Sequence, residues 1–219
     1  MRAIIAGASG LTGQALLQLL LDQPRYAHVA TLERRASKPR HAKHQPLQVN
    51  FDKPAALPRC DDAYCCLGTT IKQAGSKDAF REVDFDYVLA FAKAARAAGA
   101  KQILVMSALG ANTSASVYYS RVKGEMENAA TKIGFVAVHI FRPSLLVADT
   151  NHTRHKSRPI EMVSIAALKV ISPLLLGSMR KYRPIGVSIV ARAMFAAANS
   201  GASGVNFYAS DEMQKLVKA

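Results

Sequence analysis

Cysteine is scarce: there are three in 219 residues, Cys60, Cys65 and Cys66, two of them adjacent. That is a poor disulfide framework, so the thiols are expected to be free and the location cytoplasmic. Long unbroken apolar runs are missing too. Residues 3–21 carry no charge, but Gly7, Ser9, Gly10, Thr12, Gly13, Gln14 and Gln18 interrupt them, and residues 162–179 contain Lys169, Pro173 and Gly177. Neither stretch reads as a membrane span or an export signal. Repeats and low-complexity linkers are absent, and 13 Gly with 9 Pro exclude collagen-like and disordered chains. Acidic residues are few, 15 against 29 Lys and Arg, for a formal net charge of +14. That excess suits nucleic acid, an anionic cofactor or plain solubility, and charge alone does not choose among them.

What the sequence does contain is alternation. Short apolar runs at 2–6, 28–32, 47–49, 63–67, 102–107 and 135–141 are separated by longer segments of helical period, the pattern of βαβ units around a parallel sheet. A helix is expected over 77–98, with Phe80, Val83, Tyr87, Phe91 and Ala94 on one face and Gly99 ending it. Past residue 142 the alternation weakens into a basic loop at 151–158, apolar helices at 159–176 and 188–199, a last strand at 205–208 and a short terminal helix. The length fits one domain, with 144–183 expected as substrate-cleft or lid elements wrapped on the same sheet.

The first strand runs straight into Gly7-Ala-Ser9-Gly10-Leu11-Thr12-Gly13 and a Leu-rich helix. Gly7 permits the tight turn, Gly10 lets backbone approach a pyrophosphate, Gly13 lets helix and strand pack closely, and helix N–H groups face the anion. No Lys-Ser/Thr pair follows the last glycine, so a P-loop is excluded and a dinucleotide is the expected ligand. Its type is decided at the end of the second strand, where an acidic residue bonds a ribose 2′-hydroxyl and an Arg holds a 2′-phosphate. Glu33 is followed directly by Arg34 and Arg35. NADP is favoured, with Glu33 turned to solvent or paired with a neighbouring Arg, and NAD is the alternative.

Tyr119 and Lys123 lie four residues apart, on one helix face, whereas the partner of Tyr118 at that spacing is Val122. Ser107 ends the fifth strand, at the edge where such sheets bind ligands. A phenol of pKa ~10 becomes a useful proton carrier near neutrality when a cation stands beside it. Lys123 is expected to supply that charge and hold the ribose, Ser107 to bond the substrate oxygen, and Tyr119 to move the proton.

These residues match the short-chain dehydrogenase/reductase superfamily. Cys65-Cys66-Leu67-Gly68-Thr69-Thr70, Ala74-Gly75 and Val83-Asp84-Phe85-Asp86-Tyr87-Val88 resemble its atypical group that contains the human Tat-interacting oxidoreductase-like protein and bacterial relatives. The likeness runs through Arg142-Pro143-Ser144-Leu145-Leu146 and then fades. It implies an α/β, Rossmann-type doubly wound parallel sheet that binds NADP. It further implies that Leu67, Gly68 and Thr69 line the cofactor, with Pro143 and Leu145 near the nicotinamide end. Glu33 departs from the pattern, standing where a small residue suits an NADP-binding member.

The vicinal cysteines are expected to pack in a strand, and His41, His44, His152 and His155 to lie in solvated loops, so no metal is expected. The basic groups at 34–43, 154–158 and 180–183 lack interleaved aromatics, and no nucleic-acid partner is expected. The expected function is an NADP-dependent oxidoreductase acting on a small carbonyl or alcohol substrate, with no membrane span and scope for a homo-oligomer. The alternative is a dinucleotide-dependent binding or regulatory protein with little or no turnover.

Overall fold

The uncharged stretch at 3–21 becomes a strand, a tight turn and a helix: β1 (Arg2–Ala6) and α1 (Leu11–Asp22). The computed structural model describes residues 1–35, 37–52, 56–148 and 177–218. After α1 come β2 (His28–Glu33), β3 (His44–Gln48) and β4 (Asp62–Cys65). Next are α2 (Ile71–Ala74), α3 (Lys77–Arg81), a π-helical turn (Glu82–Asp86) and α4 (Tyr87–Ala97). Then follow β5 (Gln102–Met106), α5 (Tyr118–Thr131), β6 (Ala137–Arg142) and β7 (Leu146–Val147). The chain closes with β8 (Ile185–Gly186), α6 (Val187–Asn199), β9 (Gly204–Ala209) and α7 (Ser210–Leu216). The apolar helix expected at 159–176 and the basic loop at 151–158 lie outside the described residues.

Seven strands form one parallel sheet in the order β3-β2-β1-β4-β5-β6-β9, and β7 and β8 pair separately. This is the parallel sheet expected from the alternation, in the doubly wound order that the resemblance implies. Strand order reverses between β1 and β4, and that reversal opens a crevice at their carboxyl ends. Successive residues of each strand serve opposite faces. Ile5 joins Leu16, Leu17 and Leu20 of α1 and Val190 and Met194 of α6. Ile4, Ala63 and Ile103 join Val88, Phe91 and Ala92 of α4 and Met126 of α5. Each fully buried aliphatic side chain contributes roughly 1.5–3 kcal/mol, so both faces are closed by apolar packing. The opposite, amino-terminal edge is tied by buried Asp62, which accepts from Tyr26 Oη at 2.6 Å and Gln102 Nε2 at 2.7 Å.

Two elements differ from the sequence expectation, each for a physical reason. β3 begins at His44, not 47, because His44-Gln45-Pro46 pairs in register with Val29-Ala30-Thr31 of β2. β3 is an edge strand, where Pro46 removes no ladder bond. The helix expected over 77–98 contains the π turn, which adds one residue and rotates everything after it. The buried stripe is therefore Phe80, Asp84, Val88, Phe91, Ala92 and Ala95, and the expected positions Val83, Tyr87 and Ala94 are only half-buried.

Candidate active site

The three glycines of the first turn have separate jobs. Gly7 has φ +83°, and a Cβ there would lie 2.5 Å from the Cys66 carbonyl and 2.7 Å from Leu67 N. A Cβ on Gly13 would lie 2.1 Å from Gly7 O, so only hydrogen lets α1 start this close to β1. Gly10 is different: its Cβ would make only an ordinary 3.5 Å contact with Gly7 O. It is the N-cap of α1, without a side-chain cap and with no acidic residue in the first turn. The first-turn N–H groups of Leu11, Thr12 and Gly13 have no intrahelical acceptor by construction, and the helix dipole adds positive potential. Ser9 and Leu11 are exposed at this turn, Thr12 is buried, and Ser9 O accepts from Gln14 Nε2 at 2.8 Å. This cradle fits a pyrophosphate.

Ala6 pairs with Leu32, so Glu33 lies level with Gly7 one residue on. Its carboxylate neither pairs with Arg34 or Arg35 nor swings to solvent as the sequence suggested; it accepts the Thr31 hydroxyl at 2.8 Å. Arg34 and Arg35 are exposed beside it. His44, expected in a solvated loop, is buried in β3 with Nε2 2.9 Å from Thr31 Oγ1.

Beyond β4, Leu67 abuts Gly7 through its amide, and Gly68 and Thr69 follow. Thr69 N–H donates to Asp84 Oδ2 at 2.8 Å. Asp84 Oδ1 lies 2.7 Å from Lys123 Nζ, and both side chains are almost wholly buried. A Cβ on Gly68 would sit 3.5 Å from Asp84 Oδ1 and 3.7 Å from Lys123 Nζ. Gly68, Thr69, Asp84 and Lys123 thus form one cluster, linking the loop after β4 to α5. Gly124 lets α5 approach the preceding loop, since its Cβ would fall 2.4 Å from the Asn112–Thr113 backbone.

Ser107 follows β5 directly and its amide donates to Phe141 O at 2.7 Å. Leu109 N–H donates to Pro143 O at 2.9 Å, and Asn112 N–H to Ser120 O at 3.0 Å, so one loop touches both the end of β6 and the first turn of α5. The Ser107 side chain is buried and its hydroxyl has no partner among the described residues. Tyr119 is half-buried against Phe80, with ring centroids 5.2 Å apart. Burial raises its phenol above the ordinary value; Lys123 pulls it down and Asp84 pushes it back up. Tyr118 points elsewhere, donating to Lys77 O at 3.3 Å. Leu145 is exposed and its carbonyl accepts Ile185 N–H across the β7–β8 pair.

The apolar spacing picked out Val83 and passed over Asp84, although a residue four after Phe80 shares its helix face; Asp84 is buried and Val83 only half-buried. The signal that was available was a carboxylate four residues after Phe80 in a segment read as amphipathic helix. The cysteines are free, and burial pushes the Cys60 and Cys65 thiols up to about 11 and about 12 respectively. No group of three or more potential metal ligands occurs among the described residues, and no helix among them is long and apolar enough to cross a membrane.

Comparison with known proteins agrees with this geometry. Residues 7–150 match a family described as NAD(P)H-binding. Protein HTATIP2 of Rattus norvegicus is 37% identical over 167 residues, 73% of this chain and 67% of its own length. Protein FMP52-1, mitochondrial, of Scheffersomyces stipitis is 29% identical over 232 residues, covering 100% of this chain and 99% of its own. Among solved structures, MoeE5 in complex with UDP-glucose and NAD has a TM-score of 0.70 at 15% identity, over 97% of this chain and 79% of that one. The UDP-glucose 4-epimerase of Thermotoga maritima has a TM-score of 0.64 at 13% identity, over 100% of this chain and 82% of that one. At such identities the likeness shows the α/β Rossmann-like fold alone. The glycine turn, the sheet order and these relatives together place the chain in the NAD(P)H-binding atypical short-chain dehydrogenase/reductase family, homologous to the HTATIP2 and FMP52 proteins.

Proposed function

We propose that the protein is an NAD(P)H-dependent oxidoreductase interconverting a carbonyl and an alcohol on a small molecule. The observation that carries this reading is the buried, unpartnered Ser107 hydroxyl at the carboxyl end of β5, on the loop that abuts the first turn of α5. An unsatisfied buried hydroxyl costs roughly 1–3 kcal/mol, and a substrate oxygen would satisfy it. The dinucleotide supplies or removes a hydride when bound. Gly7, Gly10 and Gly13 with the first-turn amides of α1 would hold its pyrophosphate, and Leu67, Gly68 and Thr69 would line it. Lys123 would reach the ribose, and Pro143 and Leu145 would bound the far end.

Ser107 would donate a hydrogen bond from its hydroxyl to the substrate oxygen and orient it. Tyr119 carries its proton on Oη at neutral pH, because burial outweighs the pull of Lys123 and Asp84 opposes that pull as well. A phenol in that state is a proton donor, which favours the reductive direction. Most of the 144–183 segment expected as cleft or lid lies outside the described residues, and the three free thiols favour the cytoplasm. The relatives named mitochondrial make that organelle the second location to test.

Tyr119→Phe is expected to lower carbonyl reduction by about 10²–10⁴-fold, the usual contribution of a positioned proton donor. NADPH affinity should stay within about twofold, because ring packing on Phe80 is retained. Steady-state rates across a carbonyl library with parallel calorimetry check both, and full activity in the variant would exclude Tyr119 as donor. The raised phenol also sets the pH profile. Reduction should hold through neutrality and fall only above pH ~10, where the ordinary phenol titrates; a fall centred near 7 would assign the donor elsewhere.

The NADP preference rests on Arg34 and Arg35, with NAD the reading that Glu33 supports. Replacing both arginines by Ala should weaken NADPH about five- to tenfold, a modest loss because the side chains are exposed, and leave NADH nearly unchanged. The ratio of the two dissociation constants is the readout.

A further inference from the structure

The hydrogen bonds behind Glu33 run in one direction. A carboxylate only accepts, so the Thr31 hydroxyl proton goes to Glu33 Oε1 at 2.8 Å. Thr31 Oγ1 must then accept from its other neighbour, His44 Nε2, 2.9 Å away, which makes that nitrogen the protonated one. His44 Nδ1 in turn accepts the Arg40 backbone N–H at 3.1 Å, and a backbone amide can only donate. One neutral tautomer therefore satisfies every bond, and burial, which lowers His44 against the opposing pull of Glu33, keeps the ring neutral. Arg40 and His41 are the other charged or titratable groups acting on it, and both lower it further.

The relay is rigid by position. Thr31 is fully buried and His44 nearly so. Lys43, next to His44, donates to Leu21 O and Gln23 O at the end of α1, which anchors the start of β3. Of the three, Glu33 is the one at the carboxyl end of β2, level with Gly7 and only partly buried. No ion pair to Glu33 occurs among the described residues, so its charge is not cancelled by Arg34 or Arg35.

We propose that Thr31 and His44 are positioning residues for dinucleotide choice, holding the Glu33 carboxylate where it accepts from a ribose 2′-hydroxyl and repels a 2′-phosphate. This rests on the dinucleotide reading above. The relay acts against Arg34 and Arg35, so releasing Glu33 shifts preference toward NADPH. Thr31→Val keeps shape and removes the hydroxyl; Thr31→Ser keeps the hydroxyl.

The test is calorimetric titration of the full chain with NADH and NADPH. Thr31→Val should move the affinity ratio about tenfold toward NADPH, the scale of one hydrogen bond to a charged group. Thr31→Ser should not move the ratio, and His44→Leu should move it the same way by less, which also serves if Thr31→Val folds poorly. Glu33→Gln should shift the ratio at least as far, and adding Thr31→Val to it should shift it no further. A purely structural role would weaken both dinucleotides together and leave the ratio alone. Wild type binding neither nucleotide would overturn the dinucleotide reading and the relay with it. Tight binding with a ratio unmoved by both Thr31→Val and His44→Leu would overturn the relay alone.

Discussion

Lys123→Ala is expected to cost about 3–5 kcal/mol of stability, because it leaves the Asp84 carboxylate buried without its cation. Thr69 N–H still donates to Asp84, so part of the carboxylate's need is met, but one amide does not neutralise a charge. The same substitution removes the ribose contact proposed for Lys123 and the charge that lowers the Tyr119 phenol. Nucleotide affinity and turnover should therefore fall with stability. The double variant Asp84→Asn with Lys123→Met separates these effects. Removing both charges together is often neutral for a buried pair, and the Asn amide oxygen can still accept from Thr69. Urea midpoints should return close to wild type, whereas carbonyl reduction should stay lost. A stable Lys123→Ala protein would mean that the pair is solvated and that Asp84 does not control Lys123. Recovery of activity in the double variant would remove Lys123 from the proposed chemistry.

What could be read from the sequence divides along a physical line. Features set by local spacing were legible: β1 feeding the glycine turn, Ser107 at the end of β5, and Tyr119 and Lys123 one helical turn apart. Each needs only the chain's own periodicity, and the structure builds each where the spacing put it. Asp84 was not legible in its role. Asp84 lies four residues after Phe80, on the same helix face, but a count of apolar positions passes over a carboxylate there. Its buried charge is matched by Lys123, 39 positions later, which supplies a buried countercharge. The beginning of β3 was hidden for a similar reason. His44-Gln45-Pro46 has no strand signal of its own and takes its conformation from pairing with β2. With β3 missed as far as His44, the relay to Glu33 was missed too. Arg34 and Arg35 were read as its natural partners because they are neighbours in sequence, while the actual partner, Thr31, lies two residues back on the same face of β2.

The glycine turn offers the sharpest separation between folding and binding. Gly13→Ala should damage both, because the new Cβ would lie 2.1 Å from Gly7 O and 2.8 Å from Ala8 Cα, both backbone atoms. Nothing flexible can yield, so α1 must lift off β1. Overpacking of this kind costs about 1–3 kcal/mol or more, and the first-turn amides would move with the helix. Gly7→Ala should behave similarly: φ is +83° and the Cys66 carbonyl is 2.5 Å from the new carbon. Gly10→Ala should fold normally, since its φ of −76° suits any residue and its contact with Gly7 O is an ordinary 3.5 Å. Gly10→Asp should also fold, and its carboxylate can even cap α1, contributing about 1 kcal/mol. Yet it should abolish NADH and NADPH binding, because that carboxylate takes the amides, and the positive potential, that the pyrophosphate requires. Thermal melts with nucleotide titration of all four variants check the pattern. A stable Gly10→Asp protein that binds either dinucleotide as wild type does would place the pyrophosphate somewhere other than the start of α1.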